Sequence, residues 1–330
     1  MLNAVNSIIR QSTRQHNEPL NIFTACTHER YFEGLAKTGH NFYLLQKINK
    51  IKDWNTIYAK IPTNCIILPE DGTLPNHISF DLILSQNKFS QFQTLYPIAQ
   101  TLQLPIISLE HTLPPPNVPD GYFQNANNLR GHINVFISEF SLRAWKWDNR
   151  GDTCVIKHCI DTSLFKPGDT LRENHILSVV NDWINRDWCC NFQGWQRITQ
   201  SLPVRIIGDT PGLSRPAPST QALVNEYQSS KIFLNTSTVS PIPTSLLEAM
   251  SCGCTCVSTA TCMIPEIIQD GVNGFISNDE NILKKRLKQC LTDNKLCEEL
   301  GQNARKTILE QFNEKRFLSQ WNDIFRRVTQ

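Results

Sequence analysis

Ser240-Pro241-Ile242-Pro243-Thr244-Ser245-Leu246-Leu247-Glu248-Ala249-Met250-Ser251-Cys252-Gly253 is the stretch of this chain whose residue types and spacing best suit chemistry. Pro243, Thr244 and Ser245 read as a helix start, because proline is tolerated in a first turn and hydroxyls cap free amides. The amides of Thr244, Ser245 and Leu246 would point out of that helix end, where the macrodipole adds about half a positive charge. A tip of this kind receives phosphate without lysines. Glu248, one turn deeper, is spaced to accept two hydroxyls of a ribose attached to that phosphate. The same residues also read as an ordinary capped helix with a surface Glu.

The sequence that follows narrows the choice. Cys254 to Ser258 is an apolar strand, Ile264-Pro265-Glu266-Ile267-Ile268 a helix near 265–269, and Asp270-Gly271 and Asn273-Gly274 are turn dipeptides that need positive φ at glycine. The order is strand, loop, helix, turn, strand.

Most of the chain repeats that alternation. Strands are expected at 20–25, 42–45, 65–68, 82–84, 105–109, 133–137 and 154–157, then at 176–180, 204–207, 232–234, 254–258 and 274–276. Helices are expected near 29–37, 89–102, after Ser138 (carrying Trp145 and Trp147), near 192–199, 221–229, from 244, and over the last fifty residues. Strands that are apolar throughout, separated by helices, argue for parallel sheets covered on both faces. The polar passage Ile160 to Gly168 reads as a linker. It divides the chain into two doubly wound α/β domains, 1–165 and 166–330, the last helix being free to pack back on the first. Ligands of such sheets bind beyond the carboxyl ends of the strands, here in a cleft between two facing sheets.

Composition excludes other classes. At 330 residues the chain is long enough for about two domains. Hydrophobic residues at 40% and charged residues at 19% describe a globular chain rather than a disordered one. A net charge of +2 gives no basic face for tracking nucleic acid. No apolar run approaches the ~18 residues of a membrane-spanning helix, and Met1 to Asn17 has no signal-peptide core. The 12 cysteines include no pair of Cys-x-x-Cys motifs, so they read as small buried thiols in a reducing cytosol.

The run from Pro243 to Phe275 resembles the C-terminal signature of the retaining family-four glycosyltransferases, enzymes of the GT-B type with two Rossmann-like domains. Val155 to Pro167 is similar to that family's interdomain segment. Val135-Phe136-Ile137-Ser138-Glu139 is similar to the last strand of its first domain, and Val204-Arg205-Ile206-Ile207-Gly208-Asp209 to the second strand of its nucleotide domain. The resemblance is good over 135–280 and loose before 130.

That resemblance implies a second domain holding a nucleotide diphosphate sugar, with Glu248 on the ribose, the 244–246 amides on the diphosphate and Gly208 admitting the nucleotide closely. It implies a catalytic Arg186, with a lysine expected five residues later where Asn191 stands; Arg215 is a substitute cation. Ser240 occupies the position of a carboxylate that touches the transferred sugar. In the first domain His111 resembles the histidine that orients the donor sugar. Thr27 and His28 sit on the same rim, as acceptor contacts or as a helix start capped by Thr27. Trp54 and Tyr58 are candidate sugar-stacking aromatics.

The implied reaction is transfer with retention by front-side attack, closed off from water by motion about the linker. No Asp-x-Asp occurs, so neither metal nor another cofactor is expected. The implied partners are a nucleotide sugar and a glycan, lipid-linked or small-molecule acceptor, the lipid-linked case bringing peripheral membrane contact. No nucleic acid is expected, and the expected location is the cytoplasm. Alternatives are a GT-B nucleotide-sugar epimerase, a catalytically weak sugar-nucleotide binding protein, and a DNA glucosyltransferase, which the near-neutral charge disfavours.

Overall fold

The computed structural model describes residues 9, 12, 13, 15, 18–47, 51–74, 77–148, 150–169 and 171–330. Most of the 1–17 segment lies outside them. The chain divides into two compact units, one running to Cys159 and taking back Lys315–Gln330, the other Ile160–Glu314.

In the first unit the described strands are β1 (Asn21–Thr24), β2 (Asn41–Leu44), β3 (Cys65–Ile67), β4 (Leu82–Ser85), β5 (Ile106–Glu110), β6 (Ile133–Phe136) and β7 (Thr153–Val155). They form one sheet in the order β3-β2-β1-β4-β5-β6-β7, every pair parallel. β1, β4, β5 and β6 are buried at every residue, as a sheet covered on both faces requires. The helices are α1 (Glu29–Ala36), α2 (Gln93–Leu102), α3 (Asp120–Asn128) and α4 (Glu139–Ala144). The strand order reverses between β1 and β4, so the chain leaves these two neighbours in opposite directions and opens a crevice at their carboxyl ends.

Two expected helices are shorter than their apolar pattern suggested. The helix expected from Phe89 begins at Gln93, because Phe89 (φ −91°, ψ 145°) and Ser90 (φ 70°, ψ −72°) are not helical. Here the Asn87 side chain accepts the Gln91 amide and fixes an irregular π-like turn. Ser138 caps α4 as expected, but Lys146 turns left-handed (φ 46°). Trp145 is therefore the C-cap, and Trp147 lies beyond the helix against Phe136.

In the second unit the described strands are β8 (Glu173–Val179), β9 (Val204–Ile207), β10 (Ser230–Asn235), β11 (Thr255–Ser258) and β12 (Phe275–Ile276). They pair in parallel in the order β12-β11-β10-β8-β9, reversing between β10 and β8. The helices are α5 (Asp187–Cys190), α6 (Phe192–Thr199), α7 (Thr220–Ser229), α8 (Thr244–Ser251), α9 (Glu280–Thr292) and α10 (Asn294–Gln311). Trp183 and Trp195 anchor the core with Ile176, Ile232, Val257 and Leu287. The helix expected over 265–269 is a single 3₁₀ turn, Ile264–Glu266. Asn273 ends it, its side chain accepting the Gln269 amide at 2.7 Å and donating to the Ile267 carbonyl at 2.9 Å.

The last helix, α11 (Glu314–Thr329), groups with the first unit apart from its first residue. Trp321 Nε1 donates to the Tyr31 hydroxyl at 3.1 Å, and Phe325 packs edge-on to His40. All 12 cysteines are free thiols; Cys252, Cys254 and Cys256 are fully buried. Among the described residues no helix is long and apolar enough to cross a membrane.

Candidate functional site

In the second unit the site residues follow β8, β9 and β10, three adjacent strands of one sheet. β10 is buried along its whole length and delivers the chain to the carboxyl edge at Asn235. From there Thr236 Oγ1 donates to the Cys190 carbonyl at 3.0 Å, and the Thr238 amide to the Cys189 carbonyl at 2.8 Å. These bonds tie the loop after β10 to α5, the short helix that Arg186 precedes.

Pro243, extended at φ −70° and ψ 116°, is the N-cap of α8 and offers no side-chain cap. The Leu246 amide is taken by the Pro243 carbonyl at 3.0 Å. Thr244 and Ser245 are then left with backbone N–H groups that no acceptor among the described residues engages. Both residues are half-buried. Two free donors thus stand at the positive end of a helix dipole, an arrangement that suits an anion, backed by the fully buried Leu246 and Leu247.

Glu248 lies one turn down and is 4% exposed, so it is not the surface carboxylate of an ordinary capped helix. The Tyr227 hydroxyl, from α7, donates to its Oε2 at 2.8 Å. A buried carboxylate is retained only where donors satisfy it, and Tyr227 fixes its rotamer.

Gly208 ends β9 at φ +135°, and a Cβ there would come within 2.0 Å of the Val180 carbonyl oxygen. Only glycine lets the chain turn this close to the end of β8. The Ser214 hydroxyl then closes the 208–215 loop by donating to the Gly208 carbonyl at 2.7 Å, and Arg215 is exposed in that loop.

Arg186 is the exposed N-cap of α5, and its Nη1 reaches the Asn181 carbonyl at 3.4 Å. Its neighbouring acids are engaged elsewhere: Asp187 accepts the Gln193 amide at 2.9 Å and Asp182 the Asn185 amide at 2.7 Å. Asn191 stands left-handed (φ 52°, ψ 59°) between α5 and α6, and its Oδ1 accepts the Gly194 amide at 3.1 Å. A lysine has no acceptor for that amide and disfavours positive φ, so the junction itself calls for Asn. Ser240 is half-buried.

In the first unit Thr27, His28 and His111 are brought together at the carboxyl edge. Gln86, just past β4, donates through Nε2 to the Ala25 carbonyl at 2.9 Å and turns Oε1 to His111 Nε2 at 3.3 Å. Gln91 donates to Thr27 Oγ1 at 2.9 Å. The N-cap of α1 is His28, not Thr27, whose hydroxyl is occupied by Gln91. The His111 ring meets His28 at 5.1 Å and Tyr31 at 4.4 Å, both edge to face. His158, just past β7, also joins Tyr31 at 5.0 Å. Burial holds His111 well below the usual imidazole range, helped by His28 and His158. Burial likewise pushes His158 down to about 3. Both rings are neutral at physiological pH.

Sequence reasoning missed Tyr31, Gln86, Gln91, His158 and Tyr227. Gln86 and His158 carried a signal, each being a polar residue just beyond the carboxyl end of a buried strand. Tyr31 and Tyr227 sit on helices and Gln91 in the irregular turn before α2, where only packing identifies them. Trp54 is core, 7% exposed with Nε1 on the Ala59 carbonyl at 2.7 Å, whereas Tyr58 is exposed.

Beneath this edge lies a fully buried Lys88 that the sequence did not flag. Its Nζ sits 3.8 Å from the centre of a Trp147 ring and 3.2 Å from Ser108 Oγ. Burial lowers its pKa to about 7 against the pull of Glu110. Glu110, itself raised by burial, takes the Lys88 amide and both donors of Thr112.

Residues 217–307 match the family described as glycosyl transferases group 1. Over 82 residues the chain is 37% identical to N-acetyl-alpha-D-glucosaminyl L-malate synthase of Bacillus anthracis, a match spanning 24% of this chain and 22% of that protein. An uncharacterized glycosyltransferase of Methanocaldococcus jannaschii is 32% identical over 89 residues, 26% of this chain and 23% of the relative. The chain thus matches under a quarter of the length of these relatives. By structure, 94% of the chain is similar to all of Anabaena HepE solved with UDP and glucose, at a TM-score of 0.73 and 15% identity. Sucrose-phosphate synthase of Thermosynechococcus elongatus gives 0.72 over 93% of this chain and 98% of its own, at 14% identity. These likenesses show the fold, which is the GT-B type with two Rossmann-like units.

Proposed function

We propose that this chain, whose residues 217–307 belong to the glycosyl transferases group 1 family, is a glycosyltransferase that moves a sugar from a nucleotide-sugar donor to an acceptor hydroxyl with retention. The observation that carries the reading is the α8 tip, where the Thr244 and Ser245 amides stand open with the Tyr227-oriented Glu248 one turn behind. An anion site followed at that distance by a satisfied, rigid carboxylate suits a diphosphate continued by a ribose.

In this reading Gly208 allows the nucleotide close approach and Arg186 meets charge on the departing diphosphate. Ser240 bonds a sugar hydroxyl without charge assistance, and His111 orients the transferred sugar. Thr27 and His28 lie on the acceptor side. Helix amides and Arg186 supply the electrostatic stabilisation, and no metal takes part. The acceptor is a glycan, a lipid-linked molecule or a small molecule, and the enzyme works in the cytoplasm.

A second reading, a sugar-nucleotide binding protein with little turnover, is favoured by one observation. Asn191 is committed to capping α6, so Arg186 has no second cation five residues on. The test is calorimetric titration with UDP, GDP, ADP and TDP, followed by assay of nucleoside diphosphate release from the matching sugar donors. UDP leads because Anabaena HepE was solved with it. Binding with release, and a product of unchanged anomeric configuration by NMR, is the expected result. Binding without release favours the second reading, and no binding of any nucleotide removes both.

A further inference from the structure

The amino edge of the first sheet carries a cleft of its own. Leu104 and Pro105 lead into β5 and His132 stands just before β6, so this edge lies at the opposite end of the strands from His111. β5 spans five residues, which separates the two edges by roughly 16 Å. Where this edge meets α2 and the end of α11 there is a cleft of about 510 Å³, within the roughly 300–1,000 Å³ of small-molecule sites. The buried Leu104 and Ile106 supply part of its apolar lining. Its polar lining is Gln100, Gln103, His132 and Thr329, with the Tyr96 ring beside them. No Lys, Arg, Asp or Glu side chain lines it.

The bonding capacity of these groups is defined. His132 is clamped to Ile106: its amide donates to the Ile106 carbonyl at 2.8 Å, and its Nδ1 accepts the Ile106 amide at 3.1 Å. That bond needs the Nδ1 lone pair, so the ring carries its proton on Nε2. Thr329 Oγ1 donates to the Phe325 carbonyl at 2.9 Å and keeps only lone pairs to offer. Gln103 is the left-handed C-cap of α2 (φ 55°), the point where the chain turns back toward β5. The side-chain amides of Gln100 and Gln103 engage no partner among the described residues. Tyr96 is 39% exposed and stacks on the buried Phe92 at 5.3 Å and 18°, which presets its ring.

We propose that this cleft is a second carbohydrate site, separate from the residues at the carboxyl edge, that holds an uncharged sugar ring. A sugar hydroxyl is both donor and acceptor, and the lining offers both: His132 Nε2–H donates, Thr329 Oγ1 accepts, and the two glutamine amides do either. A sugar ring also presents a face of C–H groups, which suits the amphipathic ring of Tyr96 and the apolar lining beside it. Other ligand classes fit less well. An apolar ligand would strip water from four polar side chains and give them no partner. A phosphate or carboxylate would find no cationic side chain to pair with, so the cleft favours a sugar over a sugar nucleotide. The chemistry of this lining stands whether or not the α8 tip binds a nucleotide.

The test is imidazole ¹⁵N NMR on the histidine-labelled full chain, with D-glucose, N-acetyl-D-glucosamine, maltose, glycerol and UDP as separate probes. The His132 resonance should show the Nε2–H tautomer. It should shift saturably with the three sugars, and stay in place with glycerol, which has no ring to stack, and with UDP. Tyr96→Ala should weaken sugar binding about tenfold or more, and Tyr96→Phe less than about threefold, because the ring carries the contact. Gln100→Ala, an exposed change on α2, should weaken it about threefold or more and serves as the second variant should Tyr96→Ala fail to fold. A His132 resonance that no sugar moves, equal shifts with glycerol or UDP, or a sugar affinity unchanged by Gln100→Ala and by any folded Tyr96→Ala would overturn the proposal.

Discussion

The Tyr227 hydroxyl donates to Glu248 Oε2 at 2.8 Å, linking α7 to α8 inside the second unit and presetting the one carboxylate behind the helix tip. A carboxylate held in one rotamer before a ligand arrives loses less entropy on binding than a free one. Glu248→Ala should weaken nucleoside diphosphate binding by roughly 1.5–3 kcal/mol, the worth of hydrogen bonds to a charged group. Tyr227→Phe, which removes only the orienting bond, should cost about 0.5–1.5 kcal/mol. Calorimetry with the best nucleotide checks both, and equal affinities in all three proteins would remove Glu248 from the site.

Arg186 is exposed and held only by a long bond to the Asn181 carbonyl, so it contributes little to the fold. Diphosphate charge grows as the glycosidic bond breaks, and a cation there acts more on the transition state than on the bound donor. Arg186→Ala should lower kcat roughly 10- to 100-fold while changing the donor KM less than about threefold. An unchanged kcat would end its assignment.

The helix amides and Arg186 are the proposed partners of the diphosphate. Treatment with EDTA followed by desalting should therefore leave turnover unchanged. Activity that disappears and returns with Mn²⁺ or Mg²⁺ would contradict the metal-free reading.

Gly208→Ala places a methyl within 2.0 Å of the Val180 carbonyl oxygen at a backbone angle (φ +135°) that side chains avoid. The second unit should lose roughly 2–4 kcal/mol of stability. Gly212→Ala is the control, since φ +79° strains it but nothing lies within 4 Å of the added carbon. Chemical denaturation of the two variants should separate them clearly, and equal losses would show that the close approach carries no cost.

Lys88 gives a pH dependence with a definite sign. Its folded pKa is about 7 against 10.5 for a free lysine, burial being the main cause. Between those values the unfolded chain binds a proton that the folded chain does not, so stability rises with pH. The penalty for burying the lysine is fully present below about pH 7 and fades as pH approaches 10.5. Relative to Lys88→Met, the parent should gain stability from pH 7 to pH 10 in denaturant titrations at 25 °C. A difference that stays flat across that range would mean the lysine remains charged in place.

Local signals carried the sequence reading a long way. The twelve expected strands all form, because short runs of β-branched and aromatic residues between turn residues encode a buried parallel strand without reference to the rest of the chain. The helix at 244 was legible because Pro243 fixes its own backbone at a helix start, although the capping expected of the Thr244 and Ser245 hydroxyls does not form. The 265–269 segment was misread for a related reason: the side-chain bond between Asn273 and a nearby amide redirects the chain there, and composition does not display it.

The remainder was decided by contacts between residues far apart in the chain. Tyr227 meets Glu248 across two elements, Gly208 meets Val180 where two parallel strands end together, and His28, His111 and His158 meet only because β1, β5 and β7 share one sheet edge. Strand order sets those meetings. It results from how helices cover both faces of a twisted sheet, a long-range packing outcome that no single window of sequence contains. The sequence specified the helix tip and the types of residue that reach the strand ends. The tertiary structure alone determined which of them became buried, neutral and adjacent.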